Sequence, residues 1–331
     1  PIAVAELRGV EVCGNDGVVV HRASRRVFLS SFGPQVPLHR NLRDLPSSQL
    51  TTKPQAPSGD TDRPMVLLVQ LFAVGFYHWV LEILPRVLVA LDAFPGAKLL
   101  VPANRGQLKL FMNRTLELVG VVNEQLVLYD LPGNPVAAAG CRLRVPHLVH
   151  VDWVGVEGVA PPGLVTHLPP PEALDRTRHA LRRVTPAQLP DRVVVWIRRE
   201  TAASRRIMNE EALLQTARQV VTEAGFKLII FSDHPAPAPP RAAFALFARA
   251  AAVIGLHGAG LAHTVVCPRG AAVLEFMLPE AHGGYYRHVA RSLQLVHHNL
   301  TLKGTALYSA KAVHVPVDAF ASLLPAVLSD A

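Results

Sequence analysis

The sequence predicts an α/β protein made of two parallel-sheet domains. Three observations carry this expectation. Short apolar runs of strand length alternate with segments of helical period in both halves of the chain. Half of the 331 residues are apolar and only 18% are charged, enough to build packed cores and to exclude disorder as the main state. Five prolines fall between Pro161 and Pro171, the density of a linker. The boundary is therefore placed there, giving domains of residues 1–170 and 171–331.

In the first half, Val18–Val20 and Val27–Leu29 read as short strands, and Pro46 to Pro64 as a polar loop. Met65–Leu71 is an apolar run of strand length. Phe76 to Asp92 reads as a helix, with Tyr77, Leu81, Leu84 and Leu88 at helical spacing and Pro85 expected to kink it. Lys98–Val101 follows as a strand, Gln107 to Val119 as a helix closed by Gly120, and Gln125–Tyr129 as a strand.

The second half is plainer. Arg192–Ile197 is a buried strand. Asn209 is positioned to cap a helix whose first turn holds Glu210 and Glu211 and whose end is Gly225. Lys227–Phe231 is a strand, Ala242–Ala251 a helix, Ala252–Gly255 a strand, Gly258–Cys267 a helix and Ala271–Met277 a strand. Such alternation implies parallel sheets covered on both faces, hence two Rossmann-like domains with a cleft between them.

Composition closes several routes. The mean hydropathy is +0.25, yet Gln70, His78, Glu82, Pro85 and Arg86 interrupt the most apolar stretch, Met65 to Leu91, so it reads as core rather than a membrane span. No signal peptide is present at the start. The first residue is Pro1 rather than Met, which leaves room for an upstream region with an anchor in it. The formal charge is +8, but the basic residues form no long run and aromatics are 6%, so nucleic acid is not an expected partner. Cys13, Cys141 and Cys267 form no CxxC and read as buried or idle thiols. Sequons at Asn113 and Asn299 permit a secretory location without establishing one.

Four places carry chemistry. In Ile254–Leu261 a short strand runs into His257-Gly258-Ala259-Gly260 and then a helix, a turn whose N–H groups and helix dipole suit an anion such as a diphosphate. Arg198, Arg199, Arg205 and Arg206 follow the strand Arg192–Ile197 at the same carboxyl edge, where guanidinium forks match phosphate oxygens. Glu275 is acidic amid apolar neighbours and either accepts hydrogen bonds from ribose hydroxyls or is a strand-end residue facing water. His78, Glu82 and Arg86, spaced i, i+4, i+8, share a helix face. There Glu82 either orients His78 as a general base or forms a surface salt bridge with Arg86. Gly-x-Ser-x-Gly, Walker A, a complete GxGxxG and HExxH are absent, and the lone DxD, Asp60-Thr61-Asp62, sits in a polar loop and is discounted as a metal site.

Three stretches together resemble glycosyltransferase family 61: FYHWVLEILPRVLVAL (76–91), IRRETAASRRIMNEEAL (197–213) and LFARAAAVIGLHGAGLAHTVVCPRGAAVLEF (246–276). The resemblance implies a GT-B fold and a metal-independent, inverting transferase that needs no cofactor. It implies a UDP-sugar donor held mainly by the second domain and a glycan or glycoprotein acceptor. By resemblance Arg198, Arg199, Arg205 and the turn His257, Gly258, Ala259, Gly260 hold the diphosphate, Glu275 the ribose, and His78 and Glu82 lie on the acceptor side. The implied setting is the Golgi or endoplasmic reticulum lumen in a eukaryote and the cytoplasm in a bacterium. Ala242 and Ala243 stand where relatives carry Glu-Gln, which leaves open a decayed protein that binds nucleotide or glycan without turnover.

Overall fold

The computed structural model describes residues 2–14, 17–24, 26–28, 63–70, 72–130, 141–153, 168–184, 192–200, 202, 204–232, 238–277, 284–303 and 312–331. The Asp60–Asp62 motif and the prolines at 161 and 162 lie outside them. Two compact units are present, Pro1–Ala173 and Leu174–Ala331.

The first unit is built on a mixed sheet. Its strands are β1 (Ile2–Cys13), β2 (Val18–His21), β3 (Val27–Phe28), β4 (Met65–Leu67), β5 (Lys98–Ala103), β6 (Leu126–Asp130) and β7 (Cys141–Trp153), in the spatial order β3-β2-β1-β7-β4-β5-β6. β7, β4, β5 and β6 run parallel, while β1 and β2 add to β7 as antiparallel strands. β4 is followed outward by β5 and β6, whereas β7 returns to the other side of β4. The direction of winding thus switches between β4 and β7.

The helix after β4 departs from expectation in an instructive way. It opens as Phe76–His78, passes through a π-helical turn at Trp79–Ile83 and continues as an α-helix over Leu84–Ala93; together these are α1. Pro85 has no N–H to offer the carbonyl four residues earlier. The turn before it widens instead, so that the Leu84 N–H donates to Trp79 O, five residues back. Such π turns are rare and concentrate at functional sites. Trp79 is anchored by its indole N–H, which donates to Thr115 Oγ1 at 2.6 Å on α2 (Leu110–Leu118).

The long strands β1 and β7 are a feature the sequence did not announce. β7 contains Pro146, which cannot donate to a ladder. The β1–β7 register runs unchanged past it, from Arg8↔His147 to Val10↔Val145, with Gly9, at φ 59°, between the two pairs, and shifts further on between Val12 and Cys13. One cysteine expectation is also corrected. Cys13 is disulfide-bonded rather than an idle thiol, and the register sets it opposite Cys141. Cys267 is a free, buried thiol that burial pushes up to about 12, so it is inert.

The second unit holds an all-parallel sheet of β8 (Val193–Ile197), β10 (Lys227–Phe231), β11 (Ala250–Leu256), β12 (Ala272–Met277) and β13 (Val296–Thr301) in the order β10-β8-β11-β12-β13. A small parallel pair, β9 (Arg206–Ile207) with β14 (Ala312–Val313), stands beside it. The helices are α3 (Pro171–Arg183), α4 (Glu210–Glu223), α5 (Pro240–Phe247), α6 (Tyr285–Leu293) and α7 (Val317–Ser329). On one face Trp196, Phe276 and Phe320 meet edge to face, 5.7–5.8 Å between centroids, beneath α4 and α7. The strand order reverses between β8 and β11, and ligands of such sheets bind at the carboxyl ends flanking that reversal.

Three local expectations need correction. The helix expected over 242–251 is α5, ending at Phe247, because the chain is already in β11 at Ala250. The segment after Gly258 is a 3-10 helix, Ala259–Val266, not an α-helix. Its carbonyls bond side chains three residues on: His263 Nδ1 donates to Gly260 O at 2.8 Å, and Thr264 Oγ1 to Leu261 O at 2.7 Å. Asn209 flanks α4 but makes no capping bond. Its amide instead clamps the Val315 backbone in both directions, at 2.7 and 3.1 Å. Among the described residues no helix is long and apolar enough to cross a membrane.

Candidate functional site

In the second unit, β8 delivers Arg198 and Arg199 to the reversal point and β11 delivers His257 and Gly258 beside them. Arg205 joins the two, reaching from the loop before β9 so that its Nη1 donates to His257 O at 3.3 Å. Arg199 fastens the same loop, donating from Nε to Arg205 O at 3.1 Å and from Nη2 to Ser204 O at 3.3 Å. The guanidinium lies so close to the turn that a Cβ on Gly258 would stand 2.3 Å from Arg199 Nη1. A Cβ on Gly260 would stand 2.9 Å from Ile197 Cγ2. Gly260 leaves no room for a side chain against Ile197, and a side chain at Gly258 would displace the Arg199 guanidinium. Tyr286, brought by α6, donates its hydroxyl to Gly258 O at 2.6 Å. Burial pushes that phenol well above its ordinary range, so it stays a donor.

Arg198 does not join this cluster. It is ion-paired with Glu200 and Glu210, each at 3.1 Å, and with Glu211. Burial alone would lower its guanidinium, but the three carboxylates outweigh it and raise the group further. These pairs tie the loop to the start of α4.

Glu275 is 2% exposed in the middle of β12, and both its oxygens are taken. His257 Nδ1 meets Oε1 at 2.5 Å and His297 Nε2 of β13 meets Oε2 at 2.9 Å. Burial alone would push the carboxyl up; the hydrogen bonds and charges of the two histidines outweigh it and hold it below the usual range. An ionised carboxylate only accepts, so His257 carries its proton on Nδ1 and His297 on Nε2. Glu275 therefore fixes His257 with Nε2 directed away from the carboxylate. Both imidazoles aim at the carboxylate, and among the described residues no His, Cys, Asp or Glu group is arranged to hold a metal ion. His263 is a core residue stacked 4.7 Å from Phe247, and burial lowers it to about 4, so it is neutral.

In the first unit the polar cluster lies at the β4–β7 switch. Glu82 is 4% exposed and accepts from Gln70 Nε2 at 2.6 Å and His78 Nδ1 at 3.0 Å, both on Oε2. Arg86, also buried, donates to Gln70 Oε1 and lies over the Trp153 ring at 5.6 Å. The surface salt bridge considered for Glu82 and Arg86 is not what forms: both are buried and Gln70 links them. Burial would push Glu82 up, but His78, Arg86 and Gln70 outweigh it and keep the carboxyl low. Burial would likewise lower His78, yet Glu82 outweighs it and raises the imidazole above 6.5. As at Glu275, the carboxylate can only accept, so Nδ1 holds the proton and Nε2 bears the lone pair when His78 is neutral.

Gln70, Tyr286 and His297 escaped sequence reasoning. Gln70 did carry a signal, a lone polar residue closing a buried strand at the carboxyl edge. Tyr286 and His297 sit on α6 and β13, elements the sequence pattern did not reveal.

The family model for glycosyltransferase family 61 matches residues 76–274, well over half of the chain. The chain belongs to glycosyltransferase family 61. Membership makes it a glycosyltransferase by family, with a sugar donor and an acceptor as its substrates. No curated protein matches it.

Proposed function

We propose that the protein is an inverting, metal-independent glycosyltransferase of GT-B type. It moves a sugar from a UDP-sugar to a hydroxyl of a glycan or glycoprotein. The observation that carries this reading is the joined cluster of Arg199, Arg205 and the His257–Gly260 turn at the reversal point of an all-parallel sheet. A guanidinium has five N–H donors, more than the single carbonyl bond of Arg205 uses, and the start of the 3-10 helix adds backbone N–H groups. Together they suit a diphosphate whose charge grows as it leaves. His257, held by Glu275, presents Nε2 to the same place.

On the acceptor side, the acceptor oxygen bonds to the anomeric carbon from the face opposite the diphosphate. The bond from that carbon to the phosphate oxygen breaks, and its electron pair leaves with UDP. The hydroxyl proton passes to Nε2 of His78, whose Nδ1–H stays on Glu82. His78→Ala and Arg205→Ala are expected to keep the fold and lose transfer, about 100-fold or more for a lost transition-state contact. A eukaryotic host would place this chemistry in the Golgi or endoplasmic reticulum lumen, a bacterial one in the cytoplasm.

Thermal shifts with a panel of nucleotides and nucleotide sugars, with and without EDTA, test the reading. A ligand at 100 times its Kd adds about 2.7 kcal/mol. Stabilisation by UDP or one UDP-sugar, unchanged by EDTA, is expected; no response to any nucleotide would overturn the donor assignment. Ala242 and Ala243 favour a second reading, nucleotide binding without turnover. UDP binding with no product on any acceptor would establish that reading.

A further inference from the structure

We infer that Phe72 is a stacking platform for the acceptor, holding the C–H face of a pyranose ring beside His78. The inference rests on the reading of His78 as the base. Phe72 follows β4 at the carboxyl edge and is 51% exposed. It also adopts φ 62°, the left-handed region that a bulky side chain disfavours. An exposed ring recovers little burial energy to offset such strain, so packing does not account for it. Strained residues of this kind gather at ligand clamps.

The surrounding turn enforces the conformation. Ala73 N–H donates to Gln70 O at 3.1 Å and Gly75 N–H to Phe72 O at 2.7 Å. A Cβ on Gly75 would stand 3.2 Å from Phe72 O and 3.4 Å from His78 Cδ2, so the glycine lets the turn close against the imidazole. The Phe72 and His78 rings are 5.5 Å apart and tilted by 32°, while Tyr77 stands edge-on to His78 at 5.0 Å. Phe72 thus extends an apolar surface from the edge of the base. Pyranoses with equatorial hydroxyls and an uninterrupted C–H face, as in β-linked glucose or xylose chains, match such a surface and keep their hydroxyls at the rim. There a hydroxyl meets Nε2.

Saturation-transfer NMR on the full chain tests this with cellotetraose, xylotetraose, mannotetraose and maltotetraose as probes. The wild type and Phe72→Tyr are expected to saturate ring C–H protons of cellotetraose or xylotetraose, and Phe72→Ala to bind them at least tenfold more weakly. Phe72→Ala is expected to melt no earlier than the wild type, which a structural role would not allow. No binding of any probe by the wild type, or equal binding by Phe72→Ala, overturns the platform. Turnover by His78→Ala is read separately. Normal turnover there, with Phe72-dependent binding intact, overturns the base assignment alone.

Discussion

Gly258→Ala isolates the contact between the Arg199–Arg205 loop and the His257 turn. The backbone at Gly258 is extended, φ 167°, so alanine brings no torsional strain. The added Cβ would fall 2.3 Å from Arg199 Nη1 and 3.1 Å from Cζ, so the guanidinium must move. Moving it breaks the bonds to Arg205 O and Ser204 O, at 3.1 and 3.3 Å. Charged hydrogen bonds contribute about 1.5–3 kcal/mol each when buried. These are half-buried, so the pair together is worth about 1.5–3 kcal/mol. Urea denaturation should show that loss, and UDP affinity should fall about 10–100-fold if the same interaction orders the loop for binding. The decisive comparison is a double-mutant cycle. In an Arg199→Ala background the three nearest atoms to the added methyl are gone, so Gly258→Ala should become nearly silent. A penalty that persists undiminished there would show that the cost of Gly258→Ala does not come from Arg199.

Three further outcomes follow from the geometry. The base must be neutral to accept a proton and Glu82 raises His78, so kcat/KM should climb with pH through a midpoint above 6.5; Glu82→Gln should move that limb to lower pH. Glu275 is held below its unfolded value of 4.5, so its contribution to stability is present above that pH and lost as pH falls through the folded value; Glu275→Gln should destabilise the protein at neutral pH and flatten the acid limb in urea titrations. Thr115→Val leaves the buried Trp79 indole N–H without its partner and should cost about 1–3 kcal/mol, read from the urea midpoint.

The sequence disclosed most where local pattern decides structure. Apolar runs marked β8, β10, β11 and β12, and the i, i+4 spacing of His78 and Glu82 did bring the pair together. The Arg199 loop and the His257 turn follow strands that prove to be neighbours, so motif position alone pointed to their meeting. What stayed hidden depends on distant partners. Arg198 looks like Arg199 in sequence, and only the acids at the start of α4 decide that it turns away. Glu275 reads as an open carboxylate until β13 brings His297 to it. β7 carries Pro146 and α7 carries Pro325, each breaking the pattern that would have marked the element. Composition does not announce the 3-10 geometry of Ala259–Val266, in which His263 and Thr264 bond carbonyls three residues back.

The proposed donor binding by the Arg199–Arg205–His257 cluster and the proposed proton removal by His78 separate cleanly in one experiment. The experiment is a calorimetric titration of UDP into the wild type, Arg205→Ala and His78→Ala, paired with transfer rates for each. Arg205→Ala is expected to lose UDP binding and transfer together, while His78→Ala binds UDP like the wild type and loses transfer. UDP binding unchanged in Arg205→Ala, or normal transfer by His78→Ala, would contradict these assignments.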